Sequence, residues 1–373
     1  MQHTGQQQVT GYAVRRYEVD NGLGDRVTTS KNSTDLRVFL QNPNGVMGKK
    51  QQNDDRRALT SMREWDVDII ALPETNKNWA QEWIRNKWKR EVKSVWPHAK
   101  VYCTSMDEPV HKHAEYVQGG ACLIITNSWS SRVMANGCDH LGRWVWVTLR
   151  GRSSERLTVT AMYCPNPGYP TDGPATVWSQ QRTRLQELAL ERGDPGEVDP
   201  REKCLYDFER WIKARKEQGE RVVVLTDANQ TTKEDTMAYS LKELISNNQL
   251  RAVLDETYPG KVLRSVDRGS KTNDHILTSG VGEGSIKRVG QLPFGLGFDT
   301  DHRAVFADFC AKDLLRIHME EPEKRESRRL SSANKKQRDK YIESLQAEIK
   351  NQNIFKQVGN LGKKSMQGEL DRR

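Results

Sequence analysis

Almost every short apolar run in this chain ends in, or is preceded by, a carboxylate, an amide or a histidine. LRVFLQ at 36–41 ends in Asn42-Pro43-Asn44-Gly45, VDIIAL at 67–72 in Pro73-Glu74-Thr75, and the run over 157–163 in Cys164-Pro165-Asn166. VVVL at 222–225 leads into Thr226-Asp227-Ala228-Asn229. Asn273-Asp274 precedes the run at 276–278, and Thr300-Asp301-His302 precedes the run at 304–309. Short apolar runs bounded by turn residues read as strands, and VVVL reads as a strand buried on both faces. Helical stretches are expected over 56–65, 175–191, 203–218 and 238–247, so strands alternate with helices in a mixed α/β domain over about 35–310. In such sheets the strand ends on one edge form the ligand crevice. Each Asp-x-Asn or Asp-His alone is an ordinary turn or cap, but six such pieces at strand boundaries assemble a site.

The chemistry of that set is specific. Carboxylate and amide oxygens suit a hard cation such as Mg²⁺. An Asp held by an Asn can position or deprotonate a water. A His beside carboxylates can stabilise the charge of a phosphate. Together these are the parts needed for phosphodiester hydrolysis.

Composition narrows the classes. Hydrophobic residues are 35% of the 373 and charged residues 29%, so a core is possible but part of the chain is expected outside it. No apolar run reaches the roughly 18 residues of a membrane span. The N-terminus lacks the apolar stretch of a signal peptide. The six Cys are scattered without a CxxC pair, which points to a reducing compartment, nuclear or cytoplasmic, and not to secretion, a disulfide scaffold or a zinc site. The net charge is +9. From Ala311 onward 16 Lys and Arg stand against 10 Asp and Glu, which fits either a polyanion partner or a solvated helix face. Residues 1–34, rich in Gln, Gly, Ser and Thr, are expected to be mobile. Residues 311–373 are expected to be a basic, charge-dense helical tail, with Tyr341, Leu345 and Ile349 at helical spacing.

The motif series resembles the endonuclease/exonuclease/phosphatase superfamily, whose DNase I-like fold is shared with abasic-site endonucleases. The match runs over about 36–308. QNPNG (41–45), LPET (72–75), YCPN (163–166), TDAN (226–229), TND (272–274) and TDHRAV (300–305) resemble the family's motifs in order. The resemblance implies a four-layer α/β sandwich, two packed mixed β-sheets flanked by helices, with the helical C-terminal appendage outside it. It implies that Glu74 is the principal Mg²⁺ ligand, Mn²⁺ being an alternative ion, with Asn42, Asn44 and Asp301 nearby. Asp227 would position or deprotonate the attacking water, and Asn229 and Asn166 would hold phosphate and water. His302 would contact the scissile phosphate, oriented by Asp274, and Tyr163 would donate to a phosphate oxygen. The sequence departs from the family pattern at Asn44 (often Asp), Thr226 (often Gly) and Thr300 (often Ser). His275 makes a second Asp-His pair after Asp274, but Asp301-His302 precedes the final strand, as in the family.

Among the branches, the basic balance favours nucleic acid, with DNA the expected partner. The chain resembles the endonuclease module of a non-LTR retrotransposon polyprotein in its TDHRAVFADF ending (300–309), and RRLSSANKKQRDKYIESLQ (328–346) resembles the segment between that module and the reverse transcriptase region that would follow. An abasic-site repair endonuclease and a phosphatase-type member are the alternatives. Other features carry less. Trp79, Trp83, Trp88 and Trp96, interleaved with Lys87, Lys89 and neighbouring basic residues, are read as core packing or as a nucleic-acid grip. Arg143 is read as a phosphate contact or a surface ion pair. Phe294 and Phe298 are read as pocket walls or loop anchors, and His111 and His113 as a metal-chelating pair or an ordinary loop pair.

Overall fold

A computed structural model gives the architecture. It describes residues 21–48, 52–109, 111–168, 173–193, 198–233, 237–317, 335–356 and 358. In chain order the elements are β1 (Leu23–Gly24), β2 (Asp35–Leu40), α1 (Gln52–Glu64), β3 (Ile69–Pro73), α2 (Glu82–Val95), β4 (Lys100–Thr104), β5 (Ala121–Ile125), β6 (Val133–Cys138), β7 (Trp144–Arg150) and β8 (Arg156–Tyr163). There follow α3 (Val177–Glu191), α4 (Pro200–Glu217), β9 (Arg221–Asp227), α5 (Leu241–Asn248), β10 (Arg251–Ala252), α6 (Val253–Thr257), β11 (Asp274–Ser279), β12 (Ile286–Gln291), β13 (Val305–Cys310), α7 (Ala311–Leu315) and α8 (Lys335–Asn351).

The strands form two mixed sheets, ordered β1-β12-β13-β2-β3-β5-β4 and β10-β11-β9-β8-β7-β6. Within them β2 and β3 run parallel, as do β8 and β9, while their other neighbours are antiparallel. Alternation along the strands decides the layers. Val38, Ile69, Leu123, Val147, Val159, Leu225 and Ile276 from both sheets share one core. The opposite face of the first sheet, including Phe39, Ile70 and Ile124, packs on Leu59 and Met62 of α1 and Ile84, Trp88 and Val92 of α2. The opposite face of the second sheet, including Met162, Val222 and Val224, packs on Leu205, Phe208 and Ile212 of α4 and Leu244 of α5. The result is helix, sheet, sheet, helix, the four-layer arrangement that the motif order implied.

A buried ion pair locks the centre of the first sheet. Arg37 on β2 and Asp308 on β13 are cross-strand partners. The guanidinium donates from Nε and Nη2 to the two carboxylate oxygens, both at 2.7 Å. Such a bidentate pair fixes register as well as charge. Arg37 Nη1 also donates to the Thr28 carbonyl at 2.7 Å.

Two expected boundaries shift. Residues 1–20 of the segment read as mobile lie outside the described residues, but 21–34 are ordered. β1 pairs with β12, and Val27 packs against the core. The expected domain end at 310 is passed by α7, whose Leu314 and Leu315 are buried in the central core along with Ile317. The stretch 192–202, read as a loop, ends in a helix start: Asp199 caps α4, its Oδ1 accepting from Arg201 N at 2.7 Å, with Pro200 in the first turn. Of the tail, 318–334 and 359–373 lie outside the described residues. α8 belongs to a separate unit, Glu320–Arg373, and is helical as expected. All six thiols are free. No helix among the described residues is long and apolar enough to cross a membrane.

Candidate active site

Register brings the polar strand ends together. Asp227, the last residue of β9, is the cross-strand partner of Tyr163 ending β8 and of Asp274 opening β11. In the other sheet Asn42 follows β2, Glu74 follows β3 and His302 precedes β13, on three neighbouring strands. Each sheet therefore contributes three adjacent strand ends to one edge.

Asn42 joins the two halves. Its Nδ2 donates at 2.7 Å to Glu74 Oε2 and at 2.7 Å to Asp227 Oδ2, while its Oδ1 accepts from Asn44 N at 2.7 Å. Both amide protons are thereby spent on carboxylates. His302 Nε2, 3.4 Å from the same nitrogen, is left to face the centre. The other ring nitrogen, Nδ1, lies 2.9 Å from Asp274 Oδ2. A carboxylate can only accept, so Nδ1 carries the proton. Gln41 steadies the loop that carries His302: its Nε2 donates to the His302 carbonyl at 3.2 Å, and its Oε1 accepts from Phe298 N at 2.9 Å. Asn229 is anchored from both ends, its N–H donating to Asp227 Oδ1 at 3.1 Å and its Nδ2 to the Cys164 carbonyl at 2.8 Å.

Backbone strain gathers here. Asn44, Glu74, Asn76 and Asn229 all have positive φ, between 49° and 54°. Asn tolerates this region. Glu does not favour it, and a cost of about 1–3 kcal/mol for such a residue is sustained only where its surroundings hold it.

The electrostatics are tense. Glu74, Asp227 and His302 each offer a ligand atom within 4.8 Å of the others. Burial, then the charges of Asp274 and Glu74, push Asp227 up to about 8, although His302 and the Asn42 hydrogen bond pull the other way. Burial likewise raises Glu74. Burial alone would depress His302. The Asp274 carboxylate, by charge and by hydrogen bond, with Asp227 and Asp301 behind it, raises it to about 10, which favours the charged ring. Burial and the charges of Glu74 and Asp227 raise the Tyr163 phenol, so it remains a donor.

The remaining sequence-selected residues divide. Asn44 and Asp301 meet at the rim, with Asn44 Nδ2 3.4 Å from Asp301 Oδ1, and neither belongs to the three-ligand cluster. Exposed Asn166 lines a cleft of about 350 Å³ with Glu74 and Tyr163. Arg143 is not a phosphate contact. It is 1% exposed and is held by Asp139 at 2.7 and 2.9 Å and by Asp207 at 3.0 Å. Exposed Lys89 lines a different groove, with Arg85, Tyr102 and Asn136, and Lys87 is half-buried on the same helix. Trp79, Trp88 and Trp96 are core, whereas Trp83 is 53% exposed. Phe294 and Phe298 are buried loop anchors, and Arg303 lies over the Phe294 ring at 3.9 Å. His275 Nε2 donates to the Gln230 carbonyl at 2.9 Å and stands outside the cluster. Sequence reasoning missed Tyr116, Gln118 and Trp178, which line the cleft beside Glu74, and Asn76, which hydrogen-bonds Glu74.

Comparison with solved structures places the fold. The AP endonuclease LMAP from Leishmania major superposes with a TM-score of 0.50 at 14% identity, over 74% of this chain and 88% of that one. The fold is DNase I-like. The catalytic domain of Xenopus laevis APE2 gives 0.49 at 15% identity over 74% and 92% of the two chains. The Neisseria 3′ phosphatase NExo, bound to a product DNA hairpin, gives 0.47 at 15% over 74% and 99%. No protein-family model matches the sequence, and a search of curated proteins finds no match.

Proposed function

We propose that this chain is a divalent-metal-dependent phosphodiesterase of the endonuclease/exonuclease/phosphatase superfamily that cuts nucleic acid, with nicking of DNA as its reaction. One observation carries the reading: two carboxylates, half-buried Glu74 and buried Asp227, share a single amide donor beside a His302 imidazolium held on Asp274. Carboxylates raised by burial and by neighbouring carboxylate charge are what a cation would relieve, and the donor set of oxygens with one imidazole fits Mg²⁺ or Mn²⁺. Glu74 would hold the ion. When bound, it supplies charge neutralisation at the phosphate oxygens.

The chain's own groups divide the remaining work. Asp227, fixed by Asn42 and by Asn229 N–H, would take the proton of the attacking water in its ionised form, which the charge of a bound cation would favour. The His302 imidazolium, kept charged by Asp274, faces the phosphate and stabilises the negative charge that grows in the transition state. Tyr163, neutral and buried, donates to a phosphate oxygen. Asn229 and Asn166 orient water and phosphate, and Asn44 and Asp301 border the entrance.

DNA as the substrate rests on the basic balance of the sequence and on the likeness in fold to the Leishmania major AP endonuclease. The retrotransposon-type assignment, with a reverse transcriptase partner region, rests on the sequence resemblance of 300–309 and 328–346 alone. Hydrolysis of bis(p-nitrophenyl) phosphate against a simple phosphomonoester tests the reaction class. A diesterase cleaves the first with Mg²⁺ and not with EDTA. Cleavage of the monoester alone contradicts the proposal and favours a phosphatase.

A further inference from the structure

Away from the active centre, two thiols face each other across neighbouring strands. Cys103 on β4 and Cys122 on β5 are direct antiparallel partners, and their sulfurs lie 3.1 Å apart. Residues so opposed have Cα atoms about 4.5–5.5 Å apart, inside the span of about 4.4–6.8 Å that a disulfide bridges. The Trp88 indole donates from Nε1 to Cys122 Sγ at 3.4 Å, which holds that sulfur in place. Among the described residues no third Cys, His or carboxylate stands close enough to the two sulfurs to complete a metal site. The pair is reachable from one side. Cys122 is buried, but Cys103 is only half-buried, because β4 is the last strand of its sheet. Cys103 lines a groove of about 200 Å³ together with Arg85 and Lys89 of α2 and Asn136 and Cys138 of β6. Burial and the Cys122 contact push the Cys103 thiol up, while the charges of Lys89 and Arg85 favour its thiolate.

We infer that Cys103 and Cys122 are a redox-active dithiol that closes to a disulfide, with a small-molecule disulfide as the oxidant. The Cys103 thiolate, reached through the groove, attacks one sulfur of the oxidant, breaks its S–S bond and releases one small thiolate. The Cys122 thiolate then attacks the Cys103 sulfur of the mixed disulfide and releases the second. The protein gives up two electrons and two protons, and the oxidant leaves as two thiols. Because burial raises Cys103, the exchange is slow, and the opposed sulfurs act through the equilibrium and not through the rate. The bond fastens the edge strand β4, whose pairing partner in the sheet is β5. In a reducing compartment such a pair opens and closes with the redox poise.

The test brings the full chain to equilibrium with excess glutathione disulfide, quenches it in acid, alkylates it in urea and maps the unreduced peptides by mass spectrometry. The wild type should yield the Cys103 and Cys122 peptides joined to each other as the main form, and dithiothreitol should separate them. Cys122→Ser leaves Cys103 without a resolving thiol and should carry one glutathione there. Cys138→Ser should form the Cys103–Cys122 bond as the wild type does. Circular dichroism checks that the variants are folded, and the wild-type map decides the question where one is not. Cys103 and Cys122 both left as free thiols, or a bond that instead joins Cys103 to Cys138 or the fully buried Cys164 to Cys204, overturns the inference. None of these results depends on the phosphodiesterase reading.

Discussion

At the scale of residues, Asp274 decides what His302 can do. Without its carboxylate the ring would be buried beside the centre with nothing to hold its proton on Nδ1. Asp274→Asn is expected to lower kcat about 10–100-fold, the usual effect of removing a group that orients a functional His, with the fold intact by circular dichroism. On the proposed mechanism Asp227→Ala would remove the proton acceptor and His302→Ala the charge stabiliser, and each should cost at least about 10³-fold in rate, measured as single-turnover cleavage of a labelled oligonucleotide. Asp55 makes a prediction of another kind. Burial pushes it up to about 7, against 3.8 in the unfolded chain, although it accepts from Met47 N at 2.6 Å. A raised carboxylate favours the fold while protonated, and this contribution fades as pH climbs from about 4 through 7. Asp55→Asn does not titrate, so its urea midpoint should gain on that of the wild type between pH 5 and pH 8. A constant difference across that range contradicts the assignment. The gathering of Asn42, Glu74, Asp227 and His302 was legible at this scale because each sits at or next to a strand end. Arg143 was not, because its environment depends on Asp207, 64 positions away, and no local pattern announces that pairing. Tyr116 and Trp178 are ordinary aromatics until a loop and the first turn of α3 bring them to one cleft.

At the scale of elements, strands were the most readable part. VVVL expands only to Arg221–Asp227, because a fully apolar run leaves little choice of environment. Short or non-local elements were not readable. β1 has two residues, and it exists only because Gln291 and Gly290 stand opposite. α4 begins in a stretch read as loop, since Asp199-Pro200 is both a turn signal and a helix start. The Asp139–Arg143–Asp207 network ties the β6–β7 turn to α4. Removing one partner of a buried ion pair strands the other charge, at about 3–5 kcal/mol. Arg143→Ala should therefore lower unfolding free energy by that amount in urea titration. A variant as stable as the wild type but weaker in binding DNA would restore the phosphate-contact role that the burial of this side chain denies.

At the scale of the whole molecule, the sandwich gathers its six polar strand ends on one edge because both sheets carry a parallel pair, β2–β3 and β8–β9, flanked by an antiparallel strand that begins where the pair ends. That arrangement was legible in motif order, but the extent of the packed unit was not. Leu314, Leu315 and Ile317 carry no motif and look like the start of the basic tail, yet they are core. A chain ending at residue 317 should keep the urea midpoint of the full protein. One ending at residue 310 should be less stable by about 1.5–3 kcal/mol for each buried leucine removed. The central claim is metal-dependent cutting of nucleic acid at the Glu74–Asp227–His302 centre, and supercoiled plasmid tests it most directly. With Mg²⁺ the wild type should convert it to open circles, and neither EDTA-treated protein nor Glu74→Ala should do so. Nicking that persists in EDTA or in Glu74→Ala, or intact plasmid in all three, would contradict it.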